Sequence, residues 1–404
     1  METKDIGEIA AWLMQSGLKG VAETDILAGF CEACRARGLN IDRAMALMDT
    51  LHPVYEGRAF RWDNNQVVER EFEYGPSRQG IAAENWQRSA FYFLLTNGGE
   101  ELRRRVGFGE PADFYGLETL VSDGHTDFVA FVHRFEEGGT IGEMDCFLSH
   151  YATKSESGFA DEDMVVLRKL TPALALAIKC TAMGRIARTI AEVYLGEDAA
   201  RHVLDGKITR GKTERISAAL WFSDLANYTR ISDSAEPDEI IPMLNDYADA
   251  VISSIHEAGG NVLKLIGDGT LAIFKNSDSG DACAAALSAA SRLHERLRDL
   301  NSQRQIEGRP VTDVYLGLHI GDVFYGNIGS IDRLDFTVIG PAVNEVSRIA
   351  SMCHSVDRSI LMSSAFVKAV PGAQRNDLVS VGRYALRGVN RPQELFTLMS
   401  SVAA

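Results

Sequence analysis

The chain has no long apolar run. Its most apolar stretch, Leu170 to Ile178, is short, contains Pro172 and is edged by Lys169 and Lys179. A spanning helix needs about 20 mainly apolar residues, so no membrane span is expected. The opening Met-Glu-Thr-Lys-Asp has no basic segment leading into an apolar one, which argues against a signal peptide. Cysteine is scarce: six in 404 residues do not read as a disulfide framework. Together these absences predict a cytoplasmic, reduced protein. Excess basic charge is missing as well. Lys and Arg number 41 against 56 Asp and Glu, a formal charge of −15. A general nucleic-acid binder would carry a basic face, so nucleic acid is not expected as a partner. An anionic small substrate stays open, because a metal can bridge it to an acidic protein.

The composition itself is ordinary for a folded protein, with 46% hydrophobic and 24% charged residues. At about 150 residues per domain the length suggests two or three domains. Residues 1–50 read as helical, since Ile6, Ile9, Trp12, Leu13, Ile26, Leu27 and Phe30 recur at helical spacing. Between 55 and 150, short aromatic and β-branched segments with Gly-rich breaks read as an antiparallel sheet. Asp161 to Thr181 reads as a long helix that Pro172 should kink or break. Cys31 and Cys34 form a lone CxxC in a helical segment, read as two half-buried thiols one turn apart.

This order of helices, strands and a terminal helix resembles a GAF- or PAS-like sensory module. The resemblance is strongest where Ser157-Gly158-Phe159 precedes the acidic helix start Asp161-Glu162-Asp163. It implies an α+β sensor domain over residues 1–182. Trp62, Trp86, Phe91, Tyr92, Phe114 and Tyr115 are read as its core, and His52 and His133 as structural. Small-molecule sensing and dimerisation are both open roles for it. Residues 183–213 read as a helical connector, with an apolar stripe at Ile186, Ile190 and Val193 and a break at Gly196. Such a stripe suits pairing of two chains, or a helix packed on its own domain.

The chemistry is written after Ile216. A strand-like run, Ile216 to Phe222, ends in Phe222-Ser223-Asp224-Leu225-Ala226-Asn227-Tyr228-Thr229. A helix over Pro237 to Ala258 follows, then two short strands around Gly267-Asp268-Gly269. The glycines permit the positive φ of a two-residue hairpin, so Asp268 is displayed at its tip. Asp224 sits at the end of the neighbouring strand. Two carboxylates on adjacent strand ends form a clamp for a hard divalent cation. Further on, Gly340-Pro341 suits a helix start, and Asn344 and Arg348 then share one helical face. An amide beside a guanidinium fork suits an anionic transition state. His319 is read as a packed or hydrogen-bonded side chain.

Residues 205–400 resemble the catalytic domain of the class III adenylate and guanylate cyclases. Five motifs carry the resemblance, in the family's order. They are Phe222 to Thr229; Lys264-x-x-Gly267-Asp268-Gly269; Gly317 to Gly329; Asp335-Phe336-Thr337 through Asn344 to Arg348; and Ala385-Leu386-Arg387-Gly388. The resemblance implies a ferredoxin-like βαββαβ domain over residues 214–404, working as a homodimer with shared sites. Asp224 and Asp268 of one chain, with the Leu225 carbonyl, would hold two Mg²⁺ or Mn²⁺ ions. Lys264 and Thr337 of the other chain would read the base. Asn344 and Arg348 would orient the ribose and stabilise the transition state, and Arg387 would meet the terminal phosphates, where the family often has lysine. The activity implied is adenylate cyclase: ATP to 3′,5′-cyclic AMP and pyrophosphate. Lys264 can donate to adenine N1 and Thr337 can accept from the 6-amino group, whereas cyclases selective for GTP resemble a Glu/Cys pair there. The alternatives are guanylate cyclase and a degenerate copy that only binds nucleotide. No Gly-Gly-Asp-Glu-Phe of the diguanylate cyclases is present. The acidity is uneven: residues 1–209 hold 22 basic and 33 acidic residues (22 − 33 = −11), and residues 210–404 hold 19 and 23 (19 − 23 = −4).

Overall fold

The computed structural model describes residues 1–64, 70–75, 80–136, 138, 140–142, 144–275, 278–389 and 392–399. The chain forms two units, Met1–Ile190 and Ala191–Ala404, each with its own core. It is a mixed α+β protein, as expected. Among the described residues no helix is long and apolar enough to cross a membrane.

The first unit opens with helices α1 (Thr3–Lys19) and α2 (Glu23–Ala36), as their periodicity predicts. The helical reading stops there. Arg43–Asp49 is a strand, β1, because Ala44, Ala46 and Met48 alternate into the core, a period of two. β2 (Gly57–Asp63) and β3 (Glu71–Tyr74) follow, then α3 (Gly80–Gln87), α4 (Ala90–Thr96), β4 (Glu101–Arg104), α5 (Leu117–Ser122), β5 (Asp127–Arg134) and β6 (Cys146–Thr153). The sheet order is β3-β2-β1-β6-β5-β4, with every pairing antiparallel. One face packs on α1, α2 and α6 (Asp161–Leu195) through Phe30, Phe147, Tyr151 and Leu167. The other carries Phe91, Leu94, Leu117 and Phe128. Cys31 and Cys34 are fully buried on α2, and burial pushes the Cys34 thiol up to about 12.

Pro172 does not break α6, which runs unbroken through it. A proline removes one helical bond, but Leu167, Leu170, Leu174 and Ile178 are all buried along this helix. Their burial, roughly 2 kcal/mol per side chain, outweighs the lost bond. Ile186 and Ile190 of the expected connector stripe pack on the first unit's core, whereas Val193 is exposed.

The second unit begins with α7 (Glu197–Leu204), after the break at Gly196. Ala199 of this helix joins the core beside Phe336, and Asp198 accepts hydrogen bonds from Lys275 Nζ and Tyr325 Oη, both at 2.6 Å. β7 (Thr213–Leu225), α8 (Tyr228–Ser234), α9 (Pro237–Glu257), β8 (Asn261–Ile266), β9 (Gly269–Phe274), α10 (Ser279–Ile306) and β10 (Val314–Gly329) come next. Taking α9 and α10 as the crossovers, this is a βαββαβ order, and the strands lie β10-β7-β9-β8. β11 (Leu334–Ile339) pairs with β10, and α11 (Pro341–Val356) packs across it. β12 (Ile360–Ser363), α12 (Ser364–Ala369), α13 (Gly372–Arg375), β13 (Leu378–Tyr384) and β14 (Gln393–Leu398) complete the sheet edge. Central β7 is buried on both faces, Ala219 and Trp221 on one and Ala218 and Leu220 on the other. That explains its nearly continuous apolar sequence.

Candidate active site

Asp224 is the last polar residue of β7. The turn after it is pinned by Ala226 N–H donating to the Asp313 carbonyl at 2.8 Å and Thr312 Oγ1 donating to the Ala226 carbonyl at 2.5 Å. Beside it the β8–β9 hairpin closes through Gly267 and Asp268. Gly267 has φ 64°, the left-handed conformation that a two-residue loop requires. β9 pairs with β7 so that Thr270 lies opposite Ser223. This register sets the two carboxylates beside each other, close enough to share a hydrogen bond. A side chain at Gly269 would lie 3.4 Å from Asp224 Oδ1 and 3.0 Å from the Ser223 carbonyl, so the hairpin seats closely on β7.

Burial, the hydrogen bond shared with Asp268 and the charge of Asp268 push the Asp224 carboxyl up to about 7. The Leu225 backbone N–H pulls the other way, and no cationic side chain contributes. Two carboxylates in contact need a shared proton or a cation between them. The donor set is all oxygen and suits a hard divalent ion, which takes one or two carboxylates and completes its shell from substrate and water. Among the described residues no group of three or more His, Cys, Asp or Glu side chains gathers as a metal site. Leu225 itself turns its side chain into the core.

A second cluster forms at β11. Thr337 lies opposite Gly326 on β10 and is buried, and its Oγ1 has no hydrogen-bond partner among the described residues. Lys264 Nζ, from β8, pairs with Asp335 Oδ2 at 2.5 Å. Asp335 and Thr337 are two apart on one strand and share its face. Sequence reasoning missed Asp335. Its alternation with Thr337 was the available signal, and only the approach of β8 to β11 gives it a partner.

Asn344 and Arg348 both lie on α11, Asn344 exposed and Arg348 half-buried. Gly388 has φ 71° and lies against the Arg348 guanidinium, whose Nη1 would be 3.3 Å from any Cβ there. This brings the loop carrying exposed Arg387 next to Arg348. His319 is buried, with Nδ1 sharing a hydrogen bond with Ser363 Oγ at 2.8 Å and Nε2 3.7 Å from Glu345. Burial holds its pKa down to about 4, so it is a neutral, packed imidazole.

Within one chain the two groups make no direct polar contact. Among the described residues, no hydrogen bond or ion pair joins Asp224 or Asp268 to Lys264, Thr337, Asn344 or Arg348. Along the β7–β10 ladder Asp224 is opposite Tyr315, while Gly326, the partner of Thr337, is opposite Thr213. Lys264 stands between the two clusters: on the β8–β9 ladder it lies opposite Leu271, four residues before Asp268, while its Nζ reaches Asp335.

Residues 212–400 match the family described as the adenylate and guanylate cyclase catalytic domain. An adenylate cyclase of Anabaena cylindrica is 33% identical over 185 residues, covering 45% of this chain and 36% of that protein. Adenylate cyclase 1 of Rhizobium meliloti is 29% identical over 222 residues, covering 52% of this chain and 32% of its own length. The match thus spans about a third of these curated relatives. The crystal structure of the adenylyl cyclase CyaB from P. aeruginosa aligns at a TM-score of 0.42 and 24% identity, over 46% of this chain and 95% of that one. Residues 212–400 of the chain are a catalytic domain of the adenylate and guanylate cyclase family.

Proposed function

We propose that the protein is an adenylate cyclase whose two sites are each completed by a second copy of the chain. The observation that carries this reading is the division of the site. Among the described residues the carboxylate pair has no hydrogen bond or ion pair with Thr337, Asn344 or Arg348, and a symmetric partner can bring its copies of those groups to face the pair.

In this reading ATP lies between the copies. Lys264 donates to adenine N1, and the unpartnered Thr337 hydroxyl accepts from the 6-amino group. Guanine would present a carbonyl and an N1–H instead, leaving these groups mismatched. Asn344 and Arg348 orient the ribose and meet the charge that develops on the α-phosphate. Arg387, beside Arg348, meets the terminal phosphates. Asp224 and Asp268, with the Leu225 carbonyl, would hold two Mg²⁺ or Mn²⁺ ions, which when bound neutralise phosphate charge and acidify the attacking hydroxyl. The ribose 3′-oxygen attacks the α-phosphorus in line, the bond to the β-phosphate bridging oxygen breaks, and pyrophosphate leaves. Positioning and electrostatics dominate such transfers, so no protein nucleophile is required. The first unit is the regulatory part. The six free cysteines suit a reducing cytoplasm.

The test is the full chain with Mn²⁺ and equal ATP and GTP. Cyclic AMP should dominate, and no cyclic nucleotide at any protein concentration would sink the proposal. Asp224→Ala and Arg348→Ala should each be inactive and regain partial activity when mixed. A properly formed mixed dimer that stays inactive would rule out shared sites.

A further inference from the structure

The sheet of the first unit has two unlike faces. On β1, Ala44, Ala46 and Met48 are at most 3% exposed against the helices of one face. Met45 and Leu47, on the same strand, point the other way and are only half-buried. They face a cavity of about 1370 Å³ between the sheet and α3, α4 and α5. Ligand sites usually measure about 300–1,000 Å³, so this one has room for several rings. The sequence reading took the aromatics of this unit for core. Trp62 and Phe91 are core and Trp86 and Phe114 pack against it, and Trp86, Phe91, Tyr92, Phe114 and Tyr115 also line the cavity.

The walls set the chemistry. Apolar and aromatic side chains come from both the sheet (Met45, Leu47, Leu148) and the helices (Trp86, Phe91, Tyr92). Arg43 and Arg61 are matched, and Arg88, the other cation of the lining, is exposed to solvent. Arg43 Nε lies 2.5 Å from Asp63 and its Nη2 3.0 Å from Asp123, and Arg61 Nε lies 2.6 Å from Asp63. Asp49, Glu118 and Asp145 also line the wall. That balance disfavours a nucleotide or other polyanion. His150 lies near-parallel to Phe91 at 6.2 Å and tilted to Phe128 at 5.2 Å. Burial, with Arg43 and Arg61 nearby, holds it neutral down to about pH 3, so it adds polarity without charge. The cavity opens to solvent, and a ligand seated in it would cover the half-buried Met45, Leu47 and Tyr92 side chains. We propose that this cavity is the binding site for an uncharged, multi-ring small molecule. The inference stands independently of the cyclase reading.

The full chain is titrated with Nile red, an uncharged fused-ring fluorophore. The expected result is one saturable site per chain with blue-shifted emission, unaffected by ATP or cyclic AMP. Met45→Trp, on the sheet wall, and Ala82→Trp, exposed on α3 at the rim, should each weaken binding by about tenfold or more. The Ala82 variant touches no core, so it decides the matter if Met45→Trp unfolds. Absence of a saturable site, or unchanged binding in Ala82→Trp at wild-type melting temperature, overturns the site. Displacement by either nucleotide overturns the uncharged ligand class.

Discussion

Arg43 in the first unit and Asp224 in the second are both partly withdrawn from water, and their surroundings differ. Arg43 is held by Asp63 and Asp123, so its charge is answered within the chain. What that unit leaves open is volume, beside Met45 and Leu47. Asp224 presses on Asp268, and among the described residues no cationic side chain answers it and the buried Thr337 hydroxyl has no partner. That unit leaves open charge and hydrogen bonds, which a polar substrate and its ions can supply. On the proposed readings the first region takes apolar surface and the second a charged nucleotide. One chain thus presents two binding chemistries that need not compete.

The sharpest way to break this contrast is Asp224→Asn. Cyclic nucleotide output should fall by about a thousandfold or more, since charge neutralisation at the phosphates supplies several kcal/mol. The melting temperature should hold or rise, because like-charge crowding with Asp268 is relieved. Assay and calorimetry on one preparation check both. A destabilised but active variant would make the pair structural.

Next come the two faces of the first unit's sheet. Phe147→Ala, in the filled core, should cost about 3–5 kcal/mol, and Met45→Ala, on the cavity wall, about 1 kcal/mol. Denaturant melts compare them. Equal losses would mean that the cavity face is as well packed as the core.

A third test uses His319, a buried titratable group whose ring nitrogens both have neighbours. Its folded pKa is lowered to about 4, below that of the unfolded chain, near 6.5. The unfolded state therefore takes up the proton first. Stability from His319 is present above about pH 6.5 and is lost as pH falls toward 4, by up to about 3 kcal/mol. His319→Gln should flatten that part of the stability-versus-pH curve in urea melts.

The smallest effect is at Thr337. Thr337→Val removes a hydroxyl that has no partner, so stability should hold. Preference for ATP over GTP should fall by about tenfold in a competition assay, the worth of one hydrogen bond. An unchanged preference would shift base selection to Lys264 and its neighbour Asp335.

The catalytic unit was far more legible in the sequence than the first unit. Gly267 announces a hairpin because few other residues take that φ, which puts Asp268 at its tip, and Asp224 falls at the end of the strand-like run before it. Asn344 and Arg348 follow from helical spacing after Pro341. In the first unit, β1 was read as helix because its small and apolar residues fit either period over so short a run. Pro172 signalled a break that the burial of Leu170 and Leu174 overrode. The aromatics from Trp86 to Tyr115 could be identified as apolar, but their arrangement around an open volume could not.

The sequence by itself determined the local devices: the glycine turn, the strand-end carboxylates, the helix that pairs an amide with a guanidinium, and the charge balance. Each depends on φ, ψ and periodicity within a few residues. Only the tertiary structure decided that Asp335 meets Lys264, that Arg348 rests against Gly388, that the buried Thr337 hydroxyl has no partner among the described residues, and that part of one sheet face borders an open cavity. Those facts depend on which distant segments share a surface. Packing is settled by the summed burial of many side chains, and no short stretch of sequence encodes that sum.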